Sequence, residues 1–168
     1  KRAQPRGDYW QRCVLPAALR FVYFHLLAGR RVLVHCDDGT DRAPAVAAAA
    51  LVALFDADGS VLLSAACWHD HTASVRLPLS KASIRSALGM VQAAHPTACV
   101  PRSIVKELNN FFLTAGMGWS EVRASLAQMA VDAAEPRSPA HAGSTCSGSS
   151  GCAAGAPEPS AWRYALLV

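Results

Sequence analysis

A chain of 168 residues with 52% hydrophobic content can bury one sizeable core, so one main domain is expected. Its formal charge of +4 permits an anionic partner. Lysine and arginine are scattered rather than blocked, which gives no sign of a polybasic tail. There is no signal peptide and no uninterrupted apolar run of membrane-spanning length, so no membrane role is expected and the cytoplasm is the expected location.

Residues 1–12 are polar and basic, and the start at Lys1 in mid-pattern has the look of a piece of a longer polypeptide. A helix is predicted from Leu15 to Leu27, with Leu15, Leu19, Val22, Phe24 and Leu26 as its apolar face, Pro16 in its first turn and Gly29 at its end. It leads straight into Val32, Leu33 and Val34. This short β-branched and apolar run predicts a strand buried on both faces, the second half of an αβ unit.

The organising stretch follows. Between that strand and an Ala-rich helix from Ala45 to Phe55 lies His35-Cys36-Asp37-Asp38-Gly39-Thr40-Asp41-Arg42. A cysteine and an arginine separated by five residues, ahead of a helix N-terminus, make the arrangement that binds a phosphoryl group. Backbone N–H groups and the helix dipole face the anion, and an arginine can grip two of its oxygens. The same field would stabilise a thiolate on Cys36. Gly39 allows close backbone approach and Pro44 suits the first helical turn. The phosphate-binding set is therefore Cys36, Asp37, Asp38, Gly39, Thr40, Asp41 and Arg42. Its three carboxylates oppose both a thiolate and a bound dianion, which favours binding over hydrolysis.

Phe55-Asp56-Ala57-Asp58-Gly59 predicts a turn and lacks the later glutamate that a calcium loop requires. Trp68-His69-Asp70-His71 reads as a loop or helix end, since histidines at i and i+2 do not share a helical face. No CxxC or Cys/His ligand spacing appears among the six cysteines, so no metal site is expected and reduced thiols are the simplest account.

Ser80 predicts the cap of a helix burying Ile84, Leu88 and Val91, with Lys81 and Arg85 on another face. After Pro96 and Pro101, a helix near Arg102 to Thr114 turns Ile104, Leu108, Phe111 and Phe112 inward, and Gly116 ends it. A further helix over 119–133 carries Trp119, Val122, Leu126, Met129 and Ala130 on one side. The Ala/Ser/Gly/Pro text that follows is too poor in apolar side chains to offset the entropy of ordering, which predicts a disordered tail, and Trp162 to Val168 is an isolated apolar end. The expected division is 1–117 for the main domain, 118–133 for an additional helix and 134–168 for the tail.

Three motifs in order carry a resemblance. Cys36, Gly39 and Asp41 match an hCxxGxD loop; Phe55, Asp56 and Gly59 match FDxxG; Lys81, Ile84, Arg85, Leu88, Pro96, Pro101, Arg102, Ser103, Asn110, Phe112 and Leu113 match a helix–proline–helix segment. Together, over roughly 15–113, they resemble the C-terminal, dual-specificity-phosphatase-like domain of initiator tRNA phosphoribosyl transferases. The chain departs from the pattern in having Arg42-Ala43 where a Leu-Ser or Arg-Ser pair is usual, and Arg102-Ser103 in reversed order.

The resemblance implies an α/β fold with a central, mainly parallel sheet flanked by helices. It implies membership of an enzyme that moves ribosyl phosphate from phosphoribosyl pyrophosphate to a 2′-hydroxyl of initiator tRNA, with an N-terminal transferase domain as intramolecular partner. On that reading the domain needs no cofactor of its own; phosphoribosyl pyrophosphate is the donor substrate of the full enzyme. Lys81, Arg85 and Arg102 would extend a positive surface for the RNA. The competing expectations are a dual-specificity phosphatase, with Cys36 as nucleophile, Arg42 on the phosphate and Asp8 as general acid, and a pseudophosphatase that only binds. Ala43 stands where such phosphatases carry the Ser or Thr that helps the thiolate leave.

Overall fold

A computed structural model describes residues 9–56, 58–62, 79–114 and 118–134. Within them the chain forms a π-helical turn, Trp10–Val14, and five α-helices: α1, Leu15–Leu27; α2, Arg42–Leu54; α3, Lys81–Ala94; α4, Arg102–Leu113; and α5, Trp119–Ala134. Asp8, the Trp68–His71 cluster, Gly116, the expected tail beyond Ala134 and its apolar end all lie outside the described residues.

The helix α2 is the axis. Ala43 through Ala50 are all buried, as are Val52, Ala53 and Leu54, so the helix is enclosed on every side. Alanine side chains make this arrangement feasible, because they let neighbouring helices approach closely around the full circumference. The helices α1, α3 and α4 pack against α2, and α5 closes over α1.

On α1 the buried residues are Leu15, Pro16, Leu19, Val22 and Tyr23. The expected inward Phe24 is instead 56% exposed and Tyr23 takes its place. Leu15, Leu19, Val22 and Tyr23 follow the i, i+4, i+7, i+8 face, and residue 24 falls outside it. The Tyr23 hydroxyl donates to the Leu62 carbonyl at 2.7 Å, so the ring is buried with its polar end satisfied. The helix ends in a Schellman arrangement: Gly29, at φ +66°, donates to Leu26 O, and Arg30 N donates to His25 O, both at 2.9 Å.

The expected α/β architecture, a central and mainly parallel sheet flanked by helices, is not what forms. Among the described residues there is no strand; only isolated bridge positions occur, at Leu33 and between Phe55 and Val61, the latter antiparallel. The β-branched run holds a lone bridge position, and its exposure alternates along 31–36. Val32 and Val34 pack on the core, however, while Leu33 is 62% exposed. The run is thus covered on one face only. A strand buried on both faces needs neighbours in a ladder, and among the described residues the elements packed around α2 are helices.

The other elements bury what their periodicity places inward. On α3 these are Ile84, Ala87 and Val91, with Leu88 partly covered. On α4 they are Leu108, Phe111 and Phe112, with Ile104 partly covered. On α5 they are Trp119, Val122, Leu126, Ala127 and Ala130. Phe111, Phe112 and Trp119 meet edge to face, with ring centroids 4.9 to 6.0 Å apart, and join α4 to α5. Among the described residues no helix is long and apolar enough to cross a membrane.

Candidate functional site

The loop at 35–42 lies between the half-covered run at 32–34 and the N-terminus of α2. Asp41 caps the helix, its carboxylate accepting from the Arg42 amide. Gly39 has φ +71°, a left-handed conformation that glycine adopts without strain. Cys36 is half-buried and its sulfur lies at the centre of the loop. The thiol donates to Asp38 Oδ1 at 3.6 Å and to Asp41 Oδ1 at 3.9 Å, while the Ala43 amide donates to Sγ at 3.4 Å.

Asp38 also accepts from the Thr40 amide at 3.0 Å. That backbone hydrogen bond to Thr40 holds the Asp38 carboxyl below the usual aspartate range. Three amides of the loop and first helical turn, those of Thr40, Arg42 and Ala43, are therefore directed at groups belonging to the loop itself. Cys36, Asp38 and Asp41 bring three donor atoms within 4.8 Å of one another. The thiol's hydrogen bonds to the two carboxylates account for that proximity, and the set lacks the imidazoles and paired thiolates of a zinc centre.

A second segment, remote in sequence, completes the wall. The Cys99 amide donates to Thr40 O at 2.7 Å, tying the turn between α3 and α4 to the loop. The His95 ring lies over Gly39, where a Cβ would sit 3.5 Å from Nε2, and Thr97 Oγ1 is 3.0 Å from the same nitrogen. His95, Thr97 and Cys99 were not among the expected site residues. The only hint in the sequence is the break at Pro96 to Pro101, which marks a turn without saying what it covers.

Arg42, Lys81 and Arg102 are exposed and share a position in their elements. They are the first residues of α2, α3 and α4, and none of these helices has an acidic residue in its first turn. A cation there adds to the positive end of the helix dipole instead of compensating it. Arg85 stands one turn into α3 and is exposed. Asp37 is exposed as well. Cys13, Cys36 and Cys99 are free thiols.

The described elements thus place a cysteine and an arginine across a glycine-bearing loop at the N-terminus of α2. The profile of the Rit1 DUSP-like domain matches residues 9–112, and the chain belongs to that family, a domain of the enzyme that modifies initiator tRNA. The match runs from the π-helical turn to Phe112 and leaves α5 beyond it. No curated protein and no solved structure matches the chain.

Proposed function

We propose that this domain serves a tRNA ribosyl phosphate transferase as an anion-binding module, holding a phosphate of the tRNA or of the ribosyl donor in the loop Cys36–Arg42. The full reaction breaks the bond between the ribosyl C1 of phosphoribosyl pyrophosphate and its pyrophosphate, and joins that carbon to a 2′-oxygen of initiator tRNA. Within it the residues of this chain bind and orient. Arg42 supplies a bidentate donor and Lys81, Arg85 and Arg102 extend the positive surface along the RNA backbone.

The observation that carries this reading is the basic residue at the first position of three of the described helices, α2, α3 and α4, with no acid in the first turn of any of them and Asp41 as the one acidic cap, on α2. Cation and dipole act together on an anion there. Ordinary helix stability favours acids in the first turn, so the pattern fits a surface shaped by an anionic partner.

Hydrolysis is supported less well. Attack on phosphorus needs a thiolate, and the Cys36 sulfur lies 3.6 and 3.9 Å from two carboxylate oxygens, whose charge opposes both the thiolate and an incoming phosphate. The observation that favours the phosphatase reading is the Ala43 amide at 3.4 Å from Sγ, a donor placed to stabilise a thiolate once the proton has left. Two assays on one preparation separate the readings: hydrolysis of an aryl phosphate, and binding of an initiator tRNA transcript at several salt concentrations. The expected outcome is no turnover, with salt-sensitive binding that survives Cys36→Ser and weakens in Arg42→Ala and in Lys81→Ala with Arg85→Ala. Turnover abolished by Cys36→Ser would make the domain a phosphatase, and binding indifferent to all three basic positions would remove the module from the RNA.

A further inference from the structure

Residues 9–36 contain four arginines, Arg12, Arg20, Arg30 and Arg31, two histidines and no acidic residue. The α1 helix runs through this stretch, and its outer face is aromatic. Phe21 is 59% exposed and Phe24 is 56% exposed. His25 sits between them, its ring meeting Phe21 at a centroid distance of 4.4 Å and Phe24 at 5.3 Å, both edge to face. Arg30 Nη1 donates to His25 Nδ1 at 3.2 Å, which brings a guanidinium to the rim of the aromatic group. Arg20 lies one turn before Phe24 on the same helix.

Two large rings left in water, held by a third ring with a guanidinium at its rim, in a sequence stretch without one carboxylate, suit a partner that is both planar and anionic. Apolar docking alone would not require the cations, and a phosphate backbone alone would not require the rings. Single-stranded nucleic acid meets both demands, its bases stacking on aromatic faces while its phosphates meet arginine. We propose that Phe21, Phe24, His25 and Arg30 form a stacking platform for unpaired bases of RNA. This rests on the reading of RNA as partner, and it assigns RNA a second binding area that does not use the Cys36–Arg42 loop.

The two kinds of interaction differ in their response to salt. Stacking releases no counterions, whereas removing a single phosphate-binding cation lowers the steepness of the salt dependence by about one unit. The test is a titration of the full chain with a fluorescently labelled initiator tRNA transcript and a labelled uridine oligonucleotide at several salt concentrations. Phe21→Ala and Phe24→Ala should each weaken binding about tenfold with an unchanged salt slope, within the range expected of base stacking. Phe24→Tyr should restore the affinity, and Arg30→Ala should weaken binding and flatten the slope.

Transcript binding that falls in Arg42→Ala but is untouched in the two phenylalanine variants would overturn the platform and leave the loop reading standing. Binding of both RNAs that depends on Phe21 and Phe24 but not on Arg42, Lys81 or Arg85 would uphold the platform and overturn the loop. Failure of the unaltered chain to bind either RNA would overturn both. Since both rings are largely in water, their removal leaves the core intact.

Discussion

Asp38 carries the sharpest conflict at the loop. Its carboxylate takes the Thr40 amide, a donor that a bound phosphate would otherwise use, and it adds negative charge beside the anion. Asp38→Asn keeps an acceptor of the same shape and removes the charge, so binding of inorganic phosphate and of tRNA should strengthen severalfold, as read by titration calorimetry. The pH dependence has a definite sign. The Thr40 hydrogen bond lowers the folded-state pKa of Asp38, so the bonded, ionised form supports the loop above the ordinary aspartate range. That support fades only as pH falls through the depressed value. The Thr40 amide resonance should accordingly titrate below the range of a free aspartate, and a midpoint in the ordinary range would show the bond to be absent in solution. The presence of three carboxylates in the loop was readable from the sequence alone. The part played by His95 was not, because nothing in the spacing of residue 95 says that the chain returns to Gly39.

At the scale of elements, local rules decide most of what forms. Ser80 and Ser83 make a reciprocal capping box on α3: Ser80 Oγ accepts from the Ser83 amide at 3.1 Å, and Ser83 Oγ accepts from the Ser80 amide at 3.0 Å. Ser80→Ala should cost about 1 kcal/mol, measured as a lower midpoint in chemical denaturation with an unchanged slope. Because α3 begins with Lys81, fraying there should also weaken tRNA binding slightly. The helices were legible because each carries its own periodicity and its own stop signals. The run at 32–34 was misleading as a strand. Whether Val32, Leu33 and Val34 join a sheet depends on neighbours elsewhere in the chain, and their β-branched character records only the preferred backbone conformation. The turn at 55–60 was fixed locally: Asp56 Oδ1 accepts the amides of Asp58 and Ser60 at 3.0 and 2.8 Å, and Gly59 takes φ +78°.

For the molecule as a whole, α2 joins stability to the site, since the helix enclosed by α1, α3 and α4 is also the one whose first residue is Arg42. Its alanines are where volume is least negotiable. Ala47 and Ala50 are fully buried and Ala48 and Ala49 nearly so, leaving no room for three additional carbons. Ala48→Leu should therefore cost about 1–3 kcal/mol and lower the melting temperature by several degrees. Tyr23→Phe removes one buried hydrogen bond to Leu62 O without adding volume, and about 1 kcal/mol is expected from it. Compared at equal loss of stability, the two should diverge in function. Overpacking displaces the helix that presents the loop, so Ala48→Leu should weaken tRNA binding at temperatures where the protein is fully folded. Tyr23→Phe acts between α1 and the segment after the turn, at the far end of α2 from Arg42, and should leave binding intact. Equal effects on binding would mean that α2 transmits nothing to the loop and that the loop is held by its own hydrogen bonds and the Cys99 tether alone.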